Sequence, residues 1–294
     1  MSMVDAAPRA QGRIRRLWRR APASLRIGGL ILLAHIVVAA TGPFWAPYDQ
    51  AQLFTGPPLS PASWEHPFGV DQLGRDVFSR VVEGGHIVLL LSVSGTFLGL
   101  LIGAVLGLVS GYVGGWFDEV TMRVVESVIS IPFLVLGLLA ISAAGPDWSG
   151  SPLLVVLVVA LIYAPRIARM ARAAALDIVT RDFVTIARLR GESVWSVVRR
   201  ELLPNATGVL LVEFAVRAGY APVLIGSLGF LGFGMRPPSP EWGLLISENR
   251  SLLVAAPITV VGPGLMLASL VIGLNLFTEG VARILGRSVQ IAQR

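Results

Sequence analysis

Six stretches of this sequence are long enough and apolar enough to cross a lipid bilayer, and they constrain the fold more than any single motif. They run at about 27–46, 86–112, 120–144, 151–172, 206–231 and 257–282. About 20 residues rising 1.5 Å each span the roughly 30 Å of hydrocarbon in a membrane. Backbone groups find no water there, so an apolar stretch of this length has to form a helix that satisfies its own hydrogen bonds. Only 14% of the 294 residues are charged and the mean hydropathy is +0.72, against roughly 25% charged in soluble domains. The expected fold class is therefore an all-α membrane protein with about six transmembrane helices.

The charges that remain are unevenly placed. All 24 basic residues are arginines. If the N-terminus lies inside the cell, the inner side holds nineteen of them: seven in the tail, Arg123, eight between 166 and 200, and three at the C-terminal end. The outer loops hold Arg75, Arg80, Arg236 and Arg250, and Arg217 lies within a span. This asymmetry predicts cytoplasmic termini. On this reading residues 1–26 form a cytoplasmic basic tail rather than a cleavable signal peptide. Residues 27–282 form the membrane domain, and 283–294 a cytoplasmic C-terminal tail. Two long segments, 47–85 and 234–256, fall outside the cell, as docking surfaces or gates or as ordinary ordered loops.

The residue inventory narrows the chemistry. With no lysine, the chain has no Walker A lysine and no Schiff-base lysine; with no cysteine, it has no disulfide, thiolate nucleophile or cysteine-ligated metal. The three histidines, His35, His66 and His86, lack zinc-site spacing. No catalytic residues and no metal site are expected, and no cofactor in this chain.

Several features point inward. Glycines recur every four residues at 95, 99, 103, 107, 111 and 115, a pattern that lets helices approach closely in membranes. Because 4.0 exceeds 3.6, the stripe drifts about 40° per step and can meet more than one neighbour. Tight packing is the main reading and a direct transport role the other. Glu213 and Arg217 sit mid-span on one face, where a charge facing lipid is expensive. They form either a structural pair or part of the lining of a polar path. Glu119, Arg123 and Glu126 share a face beside Asp118, as expected for a packed ion pair at the inner interface.

The longest polar island, 177–204, divides into two short helices, about Arg181–Arg190 and Ser193–Leu203. Gly191 supplies the break between them, and Ser193 is the N-cap of the second. That helix should turn Val194, Val197, Val198 and Leu202 to one side. Pro204 cannot continue the helical bonding pattern and fits the first turn of the next span. Such a segment moves as a unit.

Ala187, Gly191 and Leu203-Pro204, at these intervals, resemble the EAA loop of ABC-importer permeases, with Thr185-Ile186-Ala187 where Glu-Ala-Ala usually stands. The run His66-Pro67-Phe68-Gly69-Val70-Asp71-Gln72-Leu73-Gly74-Arg75-Asp76-Val77-Phe78-Ser79-Arg80 resembles the segment before the second span in the dipeptide, oligopeptide and nickel branch. Met122-Arg123, Glu126, Pro132, Phe230-Leu231-Gly232-Phe233-Gly234, Pro237-Pro238, Pro240 and Trp242-Gly243 are similar to that branch in the same order. Leu224-Ile225-Gly226 stands where the branch commonly has an acid.

The resemblance implies a C-type membrane subunit with the type I ABC-importer permease fold, in a bacterial plasma (inner) membrane. It implies a heterodimer with a homologous permease, two cytoplasmic ATP-binding subunits that carry ATP and Mg, and an extracytoplasmic binding protein that delivers di- or oligopeptides. The chain itself would be a transport subunit and not an enzyme. Thr185, Ala187, Arg188, Gly191, Leu203 and Pro204 would couple it to the ATPases. Glu213 and Arg217 are the translocation-path candidates, and His66, Gly69, Asp71, Gly74, Arg75 and Asp76 make up the extracytoplasmic motif. Alternatives are a permease for nickel, a metal chelate, an oligosaccharide or another small solute. From a different class come an ion-driven secondary transporter and an integral membrane enzyme; scarce mid-span acids and the absence of a catalytic cluster disfavour these.

Overall fold

The computed structural model describes residues 22–292, with side chains through residue 284. The basic tail expected at 1–26 lies outside the described residues up to position 21. The described residues are helical apart from their connections and one isolated bridge, Val70 to Asp76. In chain order the helices are α1 (Ala23–Trp45), α2 (Val77–Val113), α3 (Gly115–Ser130), α4 (Phe133–Ala144) and α5 (Pro152–Ile178). They continue as α6 (Asp182–Leu189), α7 (Val194–Val197), α8 (Leu203–Phe230), α9 (Trp242–Asn249) and α10 (Ile258–Ala292). Five helical stretches meet the length and hydropathy a membrane crossing needs, and the bent pair α3–α4 brings the number to as many as six. The result is a multi-pass membrane protein.

The core lies where α2, α5 and α8 meet, around fully buried Leu91, Leu108, Ile162, Ile167, Leu224, Ile225 and Leu228. The glycine stripe builds its closest contact. Gly95, Gly99, Gly103, Gly107 and Gly111 all face α5, opposite Val159, Ala160, Ala164, Ala168 and Ala175. A Cβ on Gly107 would lie 2.2 Å from the carbonyl oxygen of Ala168. The stripe therefore serves one neighbour rather than several. The α5 face carries small residues at nearly the same spacing, so the two helices stay close along the length of the stripe. Gly115 is not part of this contact; it takes φ +60° at the start of α3.

Three expected boundaries differ from the structure. First, α2 begins at Val77, so residues 77–85 of the segment expected to be a loop are helical, because Asp76 caps α2 by accepting from the Ser79 N–H at 2.7 Å. Second, the stretch 120–144 is not one straight helix. Pro132 lacks an N–H and Ile131 before it is extended (φ −78°, ψ 129°), so α3 and α4 meet at 97°. With 12 residues, α4 alone is about 18 Å long, short of a crossing.

Third, Pro204 does not separate two helices. Residues Val194–Phe230 form one unbroken helical path, with a π turn at Val198–Leu202 in which the Leu203 N–H reaches the Val198 carbonyl. The wider turn makes room for a proline ring that would otherwise press on the preceding turn. Asn205 Nδ2 donates to the Glu201 carbonyl at 2.6 Å, occupying an acceptor in the same turn. Of the residues expected to share one side, Val197, Val198 and Leu202 are buried, whereas Val194, in the first turn of α7, is exposed.

Candidate functional site

Two ends of the bundle and one cavity between them carry the chain's polar chemistry. At the first end, residues 47–76 and 231–257 close over the helix tips. Gly69 and Gly74 both take φ +74° and fold the His66–Asp76 run back on itself, with the Gly69 N–H donating to the His66 carbonyl at 2.8 Å. His66 Nδ1 lies 2.8 Å from Asp76 Oδ1, and its ring stacks on Tyr48 at 5.1 Å. Asp71 Oδ1 accepts from the Leu73 and Arg75 N–H groups at 2.8 and 3.0 Å. Asp71 Oδ2 accepts from Arg75 Nε at 2.6 Å and from Arg80 Nη1 at 3.0 Å.

Glu248, far away in sequence on α9, completes the cluster. Its Oε2 accepts from Arg75 Nη2 at 3.1 Å and from Arg80 Nη1 at 2.8 Å. Two arginines and two carboxylates thus form a neutral quartet in which Arg80 is wholly buried and Asp71 and Arg75 nearly so. Arg80 ends the His66–Arg80 run, yet neither it nor Glu248 is among the expected site residues. Nothing local marks Glu248, because its partners lie 168 and 173 positions away. The quartet binds the segment before α2 to the segment after α8, and Trp242 adds to the join by donating from Nε1 to the Val81 carbonyl at 2.9 Å.

At the same end Glu241 is fully buried and caps α9 by accepting from the Gly243 and Leu244 N–H groups at 2.7 and 2.9 Å. Burial pushes its carboxyl up to about 7, and the two N–H bonds only partly oppose that rise.

At the opposite, arginine-rich end, α6 lies across the ends of α2, α5 and the π turn. Its Val184 and Ala187 are fully buried, in one cluster with Val197, Val198 and Leu202. Thr185, Arg188 and Gly191 are exposed. Arg188 stacks over the Tyr112 ring, 4.6 Å from its centroid, and so pins α6 to the end of α2. Gly191 takes φ +73°, which an L side chain rarely adopts, and turns the chain from α6 into α7. Ser193 caps α7 by accepting from the Ser196 N–H at 3.3 Å. Leu203 and Pro204 are also exposed, on the long helix that α7 begins. The outer edge of α6 is apolar: Ile186 is 53% and Leu189 83% exposed, next to half-exposed Trp195.

The packed ion pair near this end is not the expected one. Arg123 pairs with Glu119 at 2.8 Å, but both side chains are exposed. Asp118 is the packed carboxylate, held by Arg172 Nε at 2.6 Å and by the Ser110 hydroxyl. Arg172 comes from α5, a partner that no pattern within α3 announces.

Between the two ends, Glu213 and Arg217 meet on α8 at 2.9 Å, both largely buried. Arg217 also lines a half-open cavity of about 180 Å³, together with Tyr163 and Arg166 of α5, Tyr220 and Val223 of α8 and Phe133 of α4. Tyr163, Arg166 and Tyr220 are additions to the expected residues. Arg166 falls within the stretch 151–172 expected to span the membrane and yet counts among the inner-side arginines, a double placement that could have flagged it. Among the described residues no group of three or more histidines and carboxylates stands ready to hold a metal ion.

Comparison with known proteins agrees with this architecture. Residues 99–291 match the family described as "Binding-protein-dependent transport system inner membrane component". The glutathione transport system permease protein GsiD of Shigella flexneri serotype 5b is 38% identical over 253 residues, covering 86% of this chain and 82% of that protein. GsiD of Escherichia coli strain UTI89 is 35% identical over the same extent. Among solved structures, a chain of the MetNI methionine ABC transporter in inward-facing conformations superposes with a TM-score of 0.55 at 22% identity, covering 71% of this chain and 97% of that one. The helical bundle is thus the ABC-importer permease fold, and a chain so similar to transport permeases is a non-enzymatic subunit. With a family match over most of its length and relatives above 30% identity, the chain belongs to the binding-protein-dependent inner-membrane permeases of ABC importers.

Proposed function

We propose that this subunit, paired with a homologous permease, forms the path by which an importer takes up di- or oligopeptides. The arginine-rich end faces the cytoplasm with both termini, and the end closed by residues 47–76 and 231–257 faces outward, because basic loops stay inside. An extracytoplasmic binding protein delivers the solute to the outer end. Two ATP-binding subunits, which hold the ATP and Mg, dock at the inner end. This chain contributes no cofactor and no catalytic group. The kinship with permeases named for glutathione transport supports a peptide solute.

The observation that carries the mechanism is the unbroken helical path Val194–Phe230. It begins beside α6, whose exposed edge of Ile186 and Leu189 is the docking face, and it runs to Glu213 and Arg217. Closure of the ATPases pushes on α6. The buried Val184 and Ala187 transmit the push to the π turn, and the stiff helix carries it to the path that Glu213 and Arg217 line. Thr185 and Arg188 border the docking face, Gly191 keeps the corner tight, and Leu203 and Pro204 begin the lever. The motif from His66 to Asp76, with Gly69, Asp71, Gly74 and Arg75, shapes the outer surface on which the binding protein sits. Rigid groups of helices then alternate around a central site.

The test uses the complete importer. Ile186→Asp with Leu189→Asp is expected to strip the ATPases from the purified complex and abolish ATP-driven uptake of labelled trialanine, while the chain still inserts and melts at its usual temperature. ATPases that stay bound and coupled in this variant, or uptake by the permeases with no ATPase present, overturn the reading.

A further inference from the structure

We infer that the cavity between α4, α5 and α8 is a waypoint for a carboxylate, so that the path selects solutes carrying a free carboxyl group. This rests on the reading of Glu213 and Arg217 as path-lining. Two guanidinium groups, Arg166 and Arg217, border this cavity, and only one carboxylate answers them. Glu213 pairs with Arg217, yet Arg217 Nε remains buried with no acceptor. Arg166 has no carboxylate partner among the described residues; it donates from Nη1 to the Ile162 carbonyl of its own helix at 2.9 Å. One net positive charge is thus left in a site set within membrane-spanning helices, where an unpaired charge is costly.

The remaining lining suits a small anion with an organic body. Tyr163 and Tyr220 are also among the lining residues, and Phe133 and Val223 supply apolar wall. A guanidinium with free donors takes a carboxylate in paired, charge-assisted hydrogen bonds. Lipid phosphate is an unsuitable source for the anion. Arg217 lies midway along α8, 14 residues from Leu203 and 13 from Phe230 (217 − 203 and 230 − 217), which is about 20 Å of helix on either side and sets it deep within the span. Glu213 keeps the attraction moderate: it holds Arg217 partly neutralised, so a bound carboxylate can leave again.

Because the chain has no cysteine, Val223→Cys places one thiol in the cavity of the assembled importer in phosphatidylcholine nanodiscs, with accessible cysteines of the other subunits removed. The reagents are sulfonatoethyl and trimethylammonioethyl methanethiosulfonate, alike in size and opposite in charge. With each rate scaled to that reagent's rate toward a free thiol in solution, the unpaired charge should favour the anionic reagent over the cationic one by about fivefold or more. That ratio should collapse in Arg166→Gln and persist in Arg166→Lys. Trialanine should slow labelling, whereas trialanine amide should not, and Arg166→Gln should abolish the difference. Equal scaled rates for the two reagents, or equal effects of the two peptides, overturn the inference; labelling that still responds to ATP then leaves the path reading standing. A thiol that stays unreactive in every nucleotide state overturns the path reading and this inference with it.

Discussion

Arg80 shows how much depends on single side chains outside the apolar core. It is wholly enclosed, and its Nη1 is shared between Asp71 and Glu248. Replacing it by methionine leaves buried Asp71 and partly buried Glu248 facing one cation; breaking a fully buried ion pair costs about 3–5 kcal/mol, and this partly exposed one somewhat less. Arg80→Met should therefore lower the melting temperature of the purified importer markedly. Adding Glu248→Gln should restore much of the loss, because Asp71 and Arg75 then balance; no recovery in the double variant would refute the quartet as the source. In sequence, the run from His66 to Arg80 was recognisable as a unit, but the cap at Asp76 was missed and the span was expected to begin at 86 instead of Val77. Its purpose as a staple was not legible, because the other half of the staple is Glu248. The same holds for Asp118: the acid was visible, and its partner Arg172 was not.

Among the elements, the pairing of α2 with α5 shows how spacing becomes geometry. Small residues every four positions on both helices bring the backbones together, and the gain is van der Waals contact, since lipid offers no hydrophobic drive between helices. A side chain at the middle of this seam has nowhere to go. Gly107→Val should cost about 1–3 kcal/mol or more through overpacking, seen as reduced yield and a lower melting temperature of the complex. Gly208, with nothing within 4 Å of a built Cβ, should accept alanine without that loss. The unbroken path Val194–Phe230 is an element that sequence reasoning divides, since proline normally interrupts a helix. A five-residue π turn keeps it whole, and such a turn has no reliable signature in the order of side chains.

For the whole molecule, the outer end is a lid of buried polar groups over an apolar bundle, and Glu241 links it to pH. Its carboxyl, raised by burial to about 7 from an ordinary 4.5, binds its proton more tightly in the fold than in the unfolded chain. Its contribution to stability is therefore complete below about 4.5, declines as pH rises and is gone above about 7. The melting temperature of the importer should fall between pH 5 and 7.5, and Glu241→Gln should flatten most of that slope. A slope unchanged by the substitution would assign the pH dependence to other groups. The sequence by itself determined the class of this protein, through six apolar stretches, an arginine asymmetry and motifs in family order, because burial in lipid and loop charge act on each segment separately. Only the tertiary structure decided which charges meet. The ion quartet, the Asp118–Arg172 pair and the cavity shared by Arg166 and Arg217 join residues from different segments, and their energies depend on distances that no single segment contains.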